Sequence, residues 1–378
     1  EKVWAPEWDT SHFCNDGRLR PSRADIRESL KQAVRQRMMS HVPYGALLSG
    51  GVDSCIITCL MAEIAREDKL DYNWPDGKLR TYTVGMEGSP DIMAAREMAK
   101  HLGSVHHERL FTAEEACAIV PKVVWHMETY EPELLRSAIP NYFLAELASS
   151  QVKMVLTGEG ADELFAGYLY FRDCPTPLAL HDESRRIFAH LQNVNLQRAD
   201  RMSMAHGLEA RVPFLDVEFI EKAFLIDPAD KMIVEGDDSR RETKQYLRET
   251  FAGAAPGEGI EGQDEVEPLI PHGLLFRKKA MQCEGVGQGW VQILQEYASQ
   301  QVSEEQYQEL RRKYPQTPPE SREEAWYRQL FEEFFPGQDK FVHVWENGCR
   351  AGGASWKSET YTRAGLQDTD QLRHQFMS

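Results

Sequence analysis

The feature that most restricts how this chain can fold is a short apolar run that ends in paired glycines and opens directly onto a helix. Residues 44–48 (Tyr-Gly-Ala-Leu-Leu) read as a buried strand, Ser49-Gly50-Gly51 as a tight turn, and 55–66 as the helix that follows. The alternation then repeats. Residues 80–85 read as strand, 91–102 as a helix closed by Gly103, 105–110 as strand and 153–156 as a fourth strand. Between the last two, Thr112 and Glu115 form a capping box for a helical stretch broken near Pro121, and a further helix covers 141–149. Strands alternating with helices predict an α/β fold whose parallel sheet is covered by helices on both faces. In such sheets ligands bind beyond the carboxyl ends of the strands.

The chain has 378 residues, enough for about two domains. A lead segment with an amphipathic helix over 22–39 occupies 1–40, and the nucleotide-type α/β unit spans 41–175. A mostly helical region runs over 176–347, with helical periodicity at 183–196, 217–224, 241–251, 289–300 and 320–335, and a polar tail covers 348–378. Residues 252–267 are rich in glycine and acid and read as a loop or insertion. The balance of 43 basic against 60 acidic residues, a net −17, repels phosphate backbones and anionic lipid, so nucleic-acid binding is not expected. No apolar run reaches the roughly 20 residues needed to cross a bilayer, so a soluble protein is expected. Seven scattered cysteines read as buried thiols in a reducing, cytoplasmic setting. The opening Glu-Lys-Val-Trp, without an initiator Met or a signal segment, suggests a processed or truncated product.

The chemistry begins at Ser49-Gly50-Gly51-Val52-Asp53-Ser54. Paired glycines let backbone wrap an anion while the helix N-terminus aims its free N–H groups at it. Asp53 is misplaced beside a bare anion unless Mg²⁺ bridges its carboxylate to phosphates, and the lysine of a Walker A loop is absent. His106-His107 lacks the spacing of a zinc site and reads as core or surface.

That six-residue string resembles the pyrophosphate loop of the ATP pyrophosphatases. Two further strings narrow the resemblance to asparagine synthetase: Gly158-Glu159-Gly160-Ala161-Asp162-Glu163-Leu164-Phe165-Ala166-Gly167-Tyr168, and Arg198-Ala199-Asp200-Arg201 leading to His206-Gly207-Leu208-Glu209-Ala210-Arg211-Val212-Pro213-Phe214-Leu215-Asp216. The likeness runs from about residue 42 to 227 and from 269 to about 335. It corresponds to the family's synthetase half. The glutaminase half, with its nucleophilic terminal cysteine, is expected to be missing from this chain or carried by another one.

The resemblance implies roles residue by residue. Ser49, Gly50, Gly51, Asp53 and Ser54 would hold pyrophosphate. Leu48, Val84, Gly85 and Met86 would contact adenosine, with core packing the alternative for Met86, and Gly158 would offer a backbone contact. Glu159 would act as base for ammonia attack, and Asp162 would hold metal or substrate together with Asp53; a solvated turn is the alternative for Glu159 and Asp162, and a structural partner for Glu163. Arg136 would meet the carboxylate of aspartate, with a surface salt bridge as its alternative. Lys279 would supply the cation the loop lacks, or else belong to a basic turn. Ala280 stands where the family has glutamate, and Gln282, Cys283 and Glu284 where it has Phe-Ser-Asp. The implied activity uses ATP, Mg²⁺, aspartate and ammonia: it forms β-aspartyl-AMP and pyrophosphate, then asparagine and AMP. A homodimer or larger assembly is compatible with it. The alternatives are a sibling amide-forming enzyme such as a β-lactam synthetase, and a non-catalytic subunit that keeps nucleotide binding.

Overall fold

The computed structural model describes residues 20–233, 242–252, 269–277, 287, 289–345 and 354–356. Lys279, Ala280, nearly all of the acidic stretch and most of the tail lie outside them.

Helix α1 (Arg23–Arg37) starts at a Ser22–Asp25 capping box, and Ile26, Leu30, Ala33 and Val34 bury one face. Strand β1 (Tyr44–Leu47) leads into α2 (Val52–Asp68), whose buried residues run almost all round. It is an internal helix. Then follow β2 (Arg80–Gly85), α3 (Pro90–Leu102), β3 (Val105–Leu110), α4 (Ala113–Ala118) and α5 (Val120–Met127). Gly103 closes α3 in the left-handed region and Thr112 with Glu115 makes the expected capping box.

Helix α6 (Pro132–Ser149) begins well before the expected 141 because it runs through Pro140. Proline has no N–H to give the carbonyl four residues back, so the oxygen of Arg136 loses its helical donor. The indole N–H of Trp290 replaces it, at 3.1 Å. A distant residue thus repairs a helix that local sequence signals would end. Trp290→Phe keeps most of the bulk but leaves that carbonyl unsatisfied, with an expected cost of about 1–3 kcal/mol in urea unfolding. An unchanged midpoint would contradict this.

Strand β4 (Met154–Leu156) is followed by α7 (Ala161–Leu164), α8 (Pro177–Ala189), α9 (Asn195–Met204), β5 (Glu209–Arg211), α10 (Val217–Phe224), α11 (Pro228–Lys231), α12 (Gln245–Phe251), α13 (His272–Leu275), α14 (Trp290–Gln301), α15 (Glu304–Lys313) and α16 (Arg322–Phe334). The expected helix over 183–196 is in fact two, separated by a tight 3₁₀ turn at Leu191–Asn193. Beyond residue 175, where strand signals fade, β5 still joins the sheet. It was not legible because it has three residues, two of them charged, as suits a sheet edge.

All pairings are parallel, in the order β3-β2-β1-β4-β5. From β1 the chain moves outward through β2 and β3, then returns to β1's other side for β4 and β5. The order reverses between β1 and β4, which opens a crevice beyond their carboxyl ends. Helices α2 and α3 cover one face, in a core shared with α1, α10 and α12; α6 and α9 cover the other, backed by α5, α14 and α16. Both faces are covered. Among the described residues no helix is long and apolar enough to cross a membrane. Cys55, Cys59, Cys117 and Cys174 are free and buried, and burial pushes the Cys117 and Cys174 thiols up to about 11.

Candidate active site

At the reversal point the turn after β1 faces the turn after β4, and a cavity of roughly 310 Å³ lies between them. On the β1 side Gly50 adopts φ +72°, and a Cβ there would fall 2.7 Å from the backbone of Ala94. Only glycine fits both demands. Gly51 starts α2 without a side-chain cap, so the first N–H groups of that helix keep no side-chain acceptor. Ser54 Oγ donates to the Gly51 carbonyl at 3.0 Å and lies 3.2 Å from Ser49 Oγ, which fixes both hydroxyls on the loop.

Across the cavity, Gly158 packs so closely that a Cβ would sit 2.8 Å from Asp53 Cβ and 3.0 Å from Ser54 N. The two turns therefore touch through it. Glu159 follows and Asp162 enters from α7. The Asp53 and Asp162 carboxylates share one partner, the Lys244 ammonium at the start of α12: it hydrogen-bonds Asp53 and lies 2.8 Å from Asp162 Oδ1. Lys244 is 2% exposed, and burial lowers its pKa while Asp53 works to raise it. Its backbone sits at φ +60°, where a residue with a side chain costs of order 1 kcal/mol.

Glu159 accepts from Arg198 Nη2 at 2.6 Å, and Arg198 Nη1 reaches Ser137 Oγ at 3.2 Å. Arg136 also lines the cavity, and its planar fork is engaged by Glu323 of α16, at 2.8 and 2.6 Å. The pair is buried on both sides, so the surface salt bridge weighed for Arg136 is an internal one. Glu163 is held by the Tyr168 hydroxyl and by Asn195 at 2.9 Å, which gives it a structural partner. Arg277 hydrogen-bonds Asp91 at 2.7 Å and reaches the Gly50 carbonyl at 3.4 Å; burial raises the Asp91 pKa and Arg277 opposes that. Lys279, two positions on, lies outside the described residues.

Of the other expected site residues, Leu48, Ser49, Gly51, Ser54 and Val84 line the cavity. Gly50 shapes the loop from behind and Gly85 packs on Ser89. Met86 is partly buried against the second core, beside Gly287. His106 bonds Thr81 at 2.9 Å and His107 stacks on Tyr82. Sequence reasoning missed Lys244, Arg198 and Glu323; only Arg198 lay in a quoted string, and it carried no role there.

For a divalent cation the donor set fits. Asp53 Oδ1 is buried and has no hydrogen-bond partner among the described residues, and Asp162, which shares the Lys244 ammonium with it, would add a second hard oxygen.

These features define a class: an α/β fold with a glycine-paired turn that opens a helix beside a cavity at the reversal point of a parallel sheet. The family model for asparagine synthase matches residues 25–179 and 172–366. A probable glutamine-hydrolysing asparagine synthetase of Schizosaccharomyces pombe is 39% identical over 324 residues, 83% of this chain and 56% of that protein. The glutamine-hydrolysing asparagine synthetase B of Escherichia coli is 39% identical over 318 residues, 82% of this chain and 54% of its own length. A third, from Lotus japonicus, is 39% identical over 331 residues, 87% and 53% respectively. The chain belongs to the asparagine synthase family. It spans about half the length of these curated relatives.

Proposed function

We propose that this chain makes asparagine from aspartate, ATP and ammonia. The observation that carries the reading is the convergence of two separate motifs, the 49–54 loop and the 158–163 turn, on one cavity in a chain of this family. In the first step an oxygen of the aspartate side-chain carboxylate bonds to the α-phosphorus, the bond to the bridging oxygen breaks, and pyrophosphate leaves. Ser49, Ser54 and the first N–H groups of α2 bind the departing phosphates, and Leu48 and Val84 flank the nucleoside. Mg²⁺ held by Asp53 and Asp162 would neutralise charge on the phosphates. Arg136 meets the amino-acid substrate, and Lys279 would add a cation.

In the second step ammonia attacks the acyl carbon of β-aspartyl-AMP, a proton leaves the nitrogen, and the carbon–oxygen bond to AMP breaks. Glu159 accepts that proton, held in place by Arg198. The apolar part of the cavity lining, with Leu47, Leu144, Ala145, Ala199 and Ala210, suits passage of neutral ammonia better than ammonium. We assign its supply to a glutaminase domain or chain, because the relatives are named as glutamine-hydrolysing. The buried free thiols of Cys55, Cys59, Cys117 and Cys174 support a reducing, cytoplasmic setting.

The split between the two steps tests this reading. Glu159→Gln is expected to lower ammonia-dependent asparagine formation by about 10²–10⁴-fold while aspartate-dependent exchange of pyrophosphate into ATP falls by less than about tenfold. Equal losses in both assays would remove Glu159 as the base.

A further inference from the structure

Asp53 and Asp162 belong to different motifs on different elements, yet one ammonium joins them, from a lysine 191 positions away from Asp53. The Lys244 side chain is 1% exposed and its backbone is left-handed. A buried lysine in strained backbone, seated between the two carboxylates best suited to a divalent ion, competes with that ion for the same oxygens. We propose that Lys244 is the resident counter-ion of this pair and makes metal binding conditional on the phosphates of the nucleotide. The inference rests on the reading above that Asp53 and Asp162 hold Mg²⁺.

The charge count supports it. Arg136, Arg198, Arg248 and Arg277 line the same cavity as Lys244, while its acids are Asp53, Asp91, Glu133, Glu159 and Asp162. Arg277 already pairs with Asp91, and Arg198 with Glu159. A metal ion entering alone would therefore push the Lys244 ammonium off its carboxylates into a space whose neighbouring acids are mostly taken. Bound polyphosphate changes the balance. Its oxygens offer the ammonium a new acceptor within reach of a four-carbon stem, and the metal can then take Asp53, including the oxygen that has no hydrogen bond among the described residues. Metal and phosphates would bind together and leave together, with Lys244 closing back onto the two carboxylates after each turnover.

Mn²⁺ uptake by the full chain, followed by electron paramagnetic resonance with and without inorganic pyrophosphate, tests this without any turnover. Wild type is expected to bind Mn²⁺ at least about tenfold more tightly when pyrophosphate is present, within the usual range of coupling between sites. Lys244→Met is expected to lose most of that ratio by gaining affinity in the absence of pyrophosphate, and Lys244→Arg to keep it. A folded Lys244→Met that binds Mn²⁺ no more tightly than wild type without pyrophosphate overturns the proposal. Should that variant not fold, wild type and Asp53→Asn decide. If Mn²⁺ alone protects wild type against thermal unfolding as well as Mn²⁺ with pyrophosphate does, and Asp53→Asn loses this protection, the proposal fails; protection that requires pyrophosphate supports it. If wild type takes up no Mn²⁺ even with pyrophosphate, the metal-site reading itself falls and this inference with it.

Discussion

Asp53→Asn is expected to reduce aspartate-dependent pyrophosphate release by at least about 10³-fold while the protein stays folded. The substitution preserves shape and leaves an amide oxygen for the Lys244 ammonium, so the packing of the loop against Gly158 is undisturbed. What it removes is a negative charge at the place where the 49–54 loop and the 158–163 turn bring two carboxylates to one ammonium. Asp162 alone then faces both Lys244 and any metal, and the charge on the leaving phosphates goes unmatched. The reaction can be followed through released pyrophosphate and folding through circular dichroism. Turnover near the wild-type rate would remove Asp53 from the chemistry.

The second large effect concerns stability. Glu323→Ala should destabilise the fold by about 3–5 kcal/mol, the scale for stripping one partner from a buried ion pair. Arg136 is 4% exposed and Glu323 1%, and Glu323 also accepts from the Tyr327 hydroxyl at 3.0 Å. Its loss takes the two-pronged carboxylate partner from a buried guanidinium inside the contact between α6 and α16. Because Arg136 stands on the cavity wall, any folded fraction should also show a raised KM for aspartate with that for ATP little changed. Replacing both partners by apolar residues, Arg136→Met with Glu323→Leu, should recover most of the lost stability but not the affinity for aspartate. Urea midpoints separate the cases, and a Glu323→Ala protein as stable as wild type would contradict the argument.

What the sequence disclosed follows from the range of the interactions concerned. Strands β1 to β4, the helix after the glycine pair, the Gly103 stop and the Thr112–Glu115 box depend on neighbours within a few positions, and all are found. The meeting of the 49–54 loop with the 158–163 turn was also legible, because each follows a strand and strand ends gather at one edge of a parallel sheet. Features set by distant partners were not. Helix α6 passes through Pro140 with the carbonyl that loses its helical donor satisfied by the distant Trp290, and β5 is recognisable only from its pairing with β4. Lys244 belongs to no motif and is defined by partners far away in sequence; Glu323 is a helix-start glutamate like many others until it meets Arg136 across 187 positions. Periodicity and spacing hold no record of such contacts.

The proposed first step at this cavity is the adenylation of aspartate. Exchange of labelled pyrophosphate into ATP by the full chain measures that step alone, independent of how ammonia is supplied. With Mg²⁺ present, exchange should appear on adding aspartate, be absent without it, and vanish in Asp53→Asn. Calorimetric binding of ATP with no exchange at any aspartate concentration would contradict the claim and mark a chain that binds nucleotide without activating a carboxylate. Exchange driven by a β-amino-acid precursor and not by aspartate would instead transfer the same chemistry to ring closure.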